Sequence, residues 1–225
     1  MEGKREDEAC VDDRQRALND CDAQHLCSPG EEKFGYVKSR LYALTLRWRR
    51  KFVEFVANDI LSSNPRTVLD IGCGTCDVLT QLRSSEIELY GIDPSPHMLR
   101  LAKKNTGDTD SKVELSKVDL SLGNNRHIPF ERKFDRIFSS LSFHHWKNRE
   151  ESIPYILTKL AARGEFTIYE YDRDALAFLR RTIVGKHALS ERDVIDLAYA
   201  GYEKTIEHNV PYIVVRFKKK FTGSN

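Results

Sequence analysis

Asp70, Gly72, Gly74 and Asp93 are the residues whose types and order point most directly to chemistry. The apolar run Val68-Leu69 leads into Asp70-Ile71-Gly72-Cys73-Gly74, and a second run, Glu88 to Ile92, ends on Asp93. Glycines in such a turn let the backbone approach a ligand, and an acid closing the next strand takes two ribose hydroxyls. Together they describe a site for an adenosine. Asp70 sets the charge of what that adenosine carries. It stands two residues before the first glycine, beside the place where a dinucleotide would put its pyrophosphate. A carboxylate there repels phosphate and suits an ammonium or sulfonium. The expected ligand is therefore an adenosine bearing an amino acid.

Strands and helices must alternate to present these groups. Apolar patterning places strands at Thr67–Ile71, Glu88–Ile92, Lys112–Val118, Phe134–Ser139, Glu165–Tyr171, Lys204–His208 and Tyr212–Lys218. Helices are expected at Asp77–Arg83, Pro96–Lys104, Glu150–Leu160, Ala175–Ile183 and Ser190–Ala200, the last opened by a capping-box sequence. From Phe34 to Leu61, Leu41, Leu44, Trp48, Phe52, Phe55, Val56 and Ile60 recur at helical spacing, with Arg40, Arg47, Arg49, Arg50 and Lys51 on the other faces. This helix is expected to pack on the domain with a solvated basic face; the alternatives are a cap over the site or a contact with anionic lipid. The fold class is α/β: a Rossmann-like, seven-stranded, mostly parallel sheet with helices on both faces. The link between the last two strands is too short for a crossover helix, so the final strand should be antiparallel. Residues 1–32 read as a charged tail, and 33–225 as one domain.

Composition excludes several classes. Net charge is only +2, which gives no strong field toward nucleic acid or membrane. No apolar stretch approaches the roughly 18 residues of a transmembrane helix, and the charged N-terminus lacks an apolar leader, so a cytoplasmic location is expected. Cys10, Cys21, Cys27, Cys73 and Cys76 have no disulfide-framework spacing, and Cys10, Cys21, His25 and Cys27 match no zinc knuckle. No metal site is expected. Cys73 and Cys76 are read as small residues flanking a tight turn rather than as a redox pair.

Three segments in order resemble the class I S-adenosylmethionine-dependent methyltransferases: Leu69 to Thr75, Gly91 to Leu99, and Phe134-Asp135-Arg136-Ile137-Phe138 through His144-His145-Trp146. The resemblance covers about 34 to 219 and implies S-adenosylmethionine (SAM) as the cofactor. It implies that Gly72, Cys73 and Gly74 form the platform under the methionine part, with Asp70 ordering the amino group. Asp93 would hold the ribose, with Pro94 beside the adenine. Asp119 and Leu120 would meet the adenine amino group and ring, and Ser139 and Ser140 would pass beneath the sulfonium. Two positions depart from the family. Cys76 stands where a third glycine is usual and should narrow the space beside the methionine tail. Ile128-Pro129-Phe130 also follows Asp119 at an unusually long interval, across a loop expected near the adenine.

Methyl transfer from a sulfonium is an in-line displacement, in which the protein mainly excludes water and aligns the acceptor. A base is needed only where the acceptor must lose a proton. His144 and His145, after the fourth strand, are the candidates, since imidazole titrates near neutral pH. Tyr169, Glu170 and Asp172 at the end of the fifth strand could contact the acceptor, and Tyr36, Arg40 and Tyr42 could close over the site. Ser139-Ser140-Leu141-Ser142 replaces the Asn/Asp-Pro-Pro-Tyr of base amino-methylating enzymes, and no Pro-Cys nucleophile occurs there. The expected acceptor is a small molecule, lipophilic or acidic; Arg47 to Val53 faintly resembles a helix of quinone C-methyltransferases. The alternatives are an RNA or protein acceptor, docked on basic residues including Lys218-Lys219-Lys220, or a non-catalytic SAM-binding partner subunit. The sequence gives no oligomeric state.

Overall fold

The computed structural model describes residues 46–83, 86–107, 118–176 and 188–220, with side chains from residue 50. The elements run α1 (Leu46–Ser62), β1 (Thr67–Ile71), α2 (Asp77–Leu82), β2 (Glu88–Asp93), α3 (Pro96–Thr106), β3 (Val118–Leu122), β4 (Phe134–Ser140), α4 (Arg149–Thr158), β5 (Leu160–Tyr171), β6 (Tyr202–Asn209) and β7 (Tyr212–Lys219). Single 3-10 turns follow β4 at Phe143–His145 and precede β6 at Glu191–Asp193.

The strands form one seven-stranded sheet in the order β3-β2-β1-β4-β5-β7-β6. β1 to β5 pair in parallel, and β7 is antiparallel to both β5 and β6. The expected class and the antiparallel last strand are both found. All five residues of β1 are buried, as an interior parallel strand covered on both faces requires. Alternate side chains go to opposite cores. Leu69 and Ile71 join Ile153, Ile156 and Leu157 of α4 on one face. Val68 joins Phe52, Val56 and Ile60 of α1, Leu79 of α2 and Leu99 of α3 on the other. Pro96 at the start of α3 and Ser95, which accepts the Met98 amide at 3.3 Å, fix the start of that helix.

Charged side chains fasten α1 to the sheet. Arg216 of β7 clamps Asp59 of α1 with two bonds of 2.9 Å. Arg136 of β4 reaches Asp59 at 3.2 Å and also pairs with Glu165 of β5. Burial raises the Asp59 carboxyl, but bonds from Arg216 and Tyr169 outweigh it and hold the group below its usual range.

Two expectations are corrected here. Ser190–Ala200 is not a helix. Ser190 and Asp193 do form the capping box, but only one 3-10 turn follows. The Lys204 ammonium takes the carbonyls of Val194 at 2.8 Å and Ile195 at 2.5 Å, which a continuing helix would have needed. β3 runs from Val118 to Leu122, later than the strand expected at Lys112–Val118, of which 112–117 lie outside the described residues. The tail, the start of the first helix and most of Ala175–Ile183 also lie outside them.

Candidate functional site

The strand order reverses between β1 and β4, and there the carboxyl ends of the strands open a crevice. Gly72 and Gly74 turn the chain with φ of +78° and +54°, a region glycine enters without the steric cost of a side chain. The Gly72 and Cys73 amides donate to the Ile92 carbonyl at 2.8 and 3.0 Å, joining the turn to β2. A Cβ on Gly72 would lie 2.1 Å from Ser142 Oγ. The turn after β4 therefore rests directly on the glycine turn.

A small, partly open pocket lies beside this junction. Asp70, Gly72, Cys73 and Thr75 line it from β1 and its turn, and Asp77 and Val78 from α2. Phe52 and Val53 of α1 and Ser140 and Leu141 at the end of β4 complete it. Asp70 is 1% exposed, and its Oδ1 has no hydrogen-bond partner; neither has Oγ1 of Thr75. A buried carboxylate oxygen left unpaired is costly unless a ligand donor completes it. Burial, then repulsion by Asp93 and Asp77, pushes the Asp70 carboxyl well above its ordinary range. A cationic ligand would reverse that shift.

Asp93 ends β2 nearby, 7% exposed. Its carboxylate accepts the Gly74 amide at 3.0 Å and the Ser95 amide at 2.8 Å. A carboxylate offers about four lone-pair sites, so each oxygen keeps one for a hydroxyl. Burial pushes this group up to about 6, although the two amides lower it. Pro94 follows, half-buried at the same edge.

The structure does not bring Asp119 and Leu120 to this edge. Asp93 is level with Leu122, whereas Asp119 is level with Tyr90 and exposed. At about 3.3 Å per residue, three residues of strand set Asp119 about 10 Å back from the ligand side. Leu120 is level with Gly91 and packs against it. Gly123 and Asn124 occupy the end of β3 instead; Asn124 is buried, and its Oδ1 accepts the Arg126 amide at 2.9 Å. Counted from Asn124, Ile128-Pro129-Phe130 begins four residues later instead of nine, and this shorter interval is the signal that could have found it.

Ser140 and Leu141 do reach the pocket, and Ser139 is buried beside them with its Oγ unpartnered. Leu141 is held at φ +50°, strained for a non-glycine residue. His144 sits in the 3-10 turn that follows. Its backbone N–H lies 3.2 Å from Glu170 Oε1, and its Nδ1 lies 3.1 Å from both Glu170 oxygens. Glu170 is fully buried, so it anchors His144 and is not exposed to an acceptor. The His145 ring lies tilted at 47° against that of His144, their centroids 4.0 Å apart. Tyr169 is likewise removed from the expected acceptor role. Fully buried under α1, its hydroxyl donates to Asp59 and accepts from Arg136 at 3.2 Å. Tyr36, Arg40 and Tyr42 lie outside the described residues.

Cys76 also behaves differently from expectation. It does not line the pocket; its side chain is fully buried in the core beside α2. Its φ of +60° gives the reason a glycine suits this position. Cys73 and Cys76 are free thiols, and the bond to Cys76, then burial, pushes the Cys73 thiol up. Phe52, Val53, Thr75 and Asp77 were missed as pocket residues, because their spacing signalled only packing or a helix start.

A family model described as a methyltransferase domain matches residues 69–168, from β1 into β5. The chain carries a class I S-adenosylmethionine-dependent methyltransferase domain. A demethylmenaquinone methyltransferase of Thermotoga maritima is 30% identical over 132 residues, 57% of this chain and 52% of that protein. An uncharacterized methyltransferase of Staphylococcus carnosus is 32% identical over 127 residues, 55% of this chain and 56% of its own. The chain thus spans about half the length of the curated relatives it matches. The plantazolicin methyltransferase BpumL, solved with SAH, superposes with a TM-score of 0.62 at 15% identity, over 82% of this chain and 91% of its own. That likeness shows the fold. The methyltransferase domain fits SAM at the points where its residues can be tested: two positive-φ glycines, an unpaired buried Asp70 oxygen and a buried Asp93. Among the described residues no cluster of metal-ligating side chains occurs, and no helix is long and apolar enough to cross a membrane.

Proposed function

We propose that this protein transfers the methyl group of SAM to a small-molecule acceptor. The unpaired Oδ1 of buried Asp70, inside the pocket at the switch point, carries the reading. Asp70 would accept the ammonium of the methionine part, the glycine turn would pass beneath it, and Asp93 would take the ribose hydroxyls. Asn124, at the end of β3, would meet the adenine in place of Asp119. Phe52 and Val53 would exclude water on the α1 side, and Ser140 and Leu141 would form the floor toward the acceptor. The bound cofactor supplies an activated methyl on a positively charged sulfur. The protein contributes alignment, which can lower the barrier by on the order of 7–11 kcal/mol.

The small-molecule reading is supported by the Thermotoga relative, whose name is that of a quinone-modifying enzyme, and by the weak basic surface. Lys218 is occupied at 2.8 Å by Glu165, and Arg50 pairs with Glu54 at 2.7 Å. Incubation with methyl-labelled SAM and a cell extract tests the proposal. Label should enter the small-molecule fraction. Label in RNA or protein would overturn the acceptor class, and tight SAH binding without transfer would indicate a non-catalytic subunit.

A further inference from the structure

Cys73 and Cys76 stand on the glycine turn itself, and methyl transfer makes no use of their sulfurs. Cys73 lines the cofactor pocket and is 7% exposed. Cys76 is fully buried, in the core cluster that includes Leu79 of α2. The Cys76 amide donates to the Cys73 carbonyl at 2.8 Å, which closes a four-residue turn. Such a turn holds its end Cα atoms within about 7 Å, and a disulfide spans roughly 4.4–6.8 Å between Cα atoms. The side chains meet as well: both thiols are free, and they share a hydrogen bond. The backbone of Cys76, at φ +60°, favours glycine, so the turn gives no reason for a thiol there. Small size, the role expected of both residues, does not call for two sulfurs in contact.

We infer that Cys73 and Cys76 are a reversible disulfide site, closed by a hydroperoxide when the cofactor pocket is empty and guarded when it is filled. This rests on the pocket holding SAM, as proposed above. Cys73 faces the pocket, so its sulfur meets the peroxide. The S–O bond forms, the O–O bond breaks, and hydroxide leaves with the thiol proton as water. The Cys76 sulfur then attacks the sulfenic sulfur. The S–S bond forms, the S–O bond breaks, and the second thiol proton leaves with hydroxide as a second water. Two thiols lose two electrons, and one hydrogen peroxide becomes two waters. The shared bond, then burial, raises the Cys73 thiol; at Cys76 the bond lowers the thiol, and burial outweighs it. Both sulfurs therefore rest as S–H, and closure is a slow step of minutes to hours. Bound cofactor covers Cys73 and shuts the way in. Cys76 is fixed in the core, so closing the bond shifts the Cys73 side chain at the pocket wall and weakens the hold on the cofactor. By reciprocity the cofactor then disfavours the bridge by the same factor.

A pair kept only for packing would be indifferent to whether the pocket is filled, and this difference supplies the test. Trypsin, cutting after Arg66 and Arg83, releases one peptide that holds Cys73 and Cys76 and no other cysteine. The full-length, ligand-free protein is treated with hydrogen peroxide, its remaining thiols are capped, and the peptide is weighed. It should appear uncapped and lighter by two hydrogens than the dithiol, and dithiothreitol should restore it. SAH at about 100 times its Kd should slow closure by about 10- to 100-fold. The oxidised protein should bind SAH about tenfold more weakly by calorimetry. Cys76→Gly cannot bridge, and the same treatment should leave its own SAH affinity where it was. A peptide that stays a dithiol, or that gains oxygen without bridging, overturns the proposal. So does closure at the same rate with SAH bound, or an equal loss of affinity in Cys76→Gly. Failure of the reduced wild-type protein to bind SAH would overturn the cofactor reading and the guard with it, and the peptide mass would still judge the dithiol.

Discussion

Replacing Asp70 with Asn should stabilise the ligand-free protein and at the same time weaken SAH binding. The residue is 1% exposed, lacks a partner on Oδ1 and is repelled by Asp93 and Asp77. A carboxyl raised above its ordinary range binds its proton more tightly folded than unfolded. Ligand-free stability therefore falls as pH rises through the ordinary carboxylate range. Asp93 adds to the same trend until about pH 6. Asn keeps the shape and removes the charge, which should raise stability near neutral pH by about 1–3 kcal/mol. At this chain length that is about 2–4 °C in thermal midpoint for each kcal/mol. The ligand side has the opposite sign. A hydrogen bond to a charged group contributes about 1.5–3 kcal/mol, so the Kd for SAH should rise about 10- to 100-fold. SAH at 100 times the wild-type Kd stabilises by about 2.7 kcal/mol; after a 100-fold loss of affinity the same concentration gives about 0.4. Thermal melts from pH 4 to 8, with and without SAH, read both quantities. A destabilised Asp70→Asn protein at pH 7, or one with an unchanged SAH shift, would refute the reasoning.

Three further outcomes are expected. At φ +60° the backbone of Cys76 favours glycine, so Cys76→Gly should be more stable than Cys76→Ala by about 1 kcal/mol in urea unfolding; equal stabilities would show that the conformation is not retained. Asn124→Ala should weaken SAH binding about tenfold, one lost hydrogen bond, while calorimetry on Asp119→Ala should give the wild-type affinity. Asp59→Asn should lower stability by about 2–4 kcal/mol by removing one of the two carboxylates, Asp59 and Glu165, that Arg216 and Arg136 share. Because Asp59 is held below its usual range, its contribution is present above that range and disappears as pH falls, so acid unfolding of the variant should lack that component.

The strands were legible because each is a short apolar run bounded by turn residues, and burial on both faces of β1 leaves no ambiguity about its period. The end of β3 was not. Val113 to Val118 is as strand-like as Val118 to Leu122 by composition, and only pairing with β2 decides that Leu122, not Asp119, stands level with Asp93. Asp70 and Asp93 could be recognised because charge and position suffice to suggest their roles. Glu170 and Tyr169 are adjacent and both polar at the end of a strand, so the sequence offers no way to divide them. The two-residue period divides them in three dimensions, sending Tyr169 under α1 and Glu170 to His144 on the opposite face. Phe52 and Val53 were hidden for a similar reason: a pocket wall and a packed helix face have the same apolar signature.

That dual use of α1 ties the pocket to a clamp some distance away. Phe52 and Asp59 are seven residues apart, about two helical turns or 10 Å along one face. Phe52 meets the cofactor pocket, and Asp59 meets Arg216 and Arg136 under the sheet. Between them Val53, Val56 and Ala57 are buried against β1, β4 and β5 residues of the same core. A rigid helix fixed at one end by charge and along its length by packing cannot shift Phe52 independently. The buried ion pairs then do more than hold the fold, since they set one wall of the pocket. Replacing Asp59, Glu165, Arg136 and Arg216 together with apolar residues of similar volume should leave stability nearly unchanged, since Glu165 pairs with both arginines and would otherwise be left as a buried charge. It would remove the directional bonds that register α1 on the sheet, and SAH affinity would report the loss where a melting curve would not.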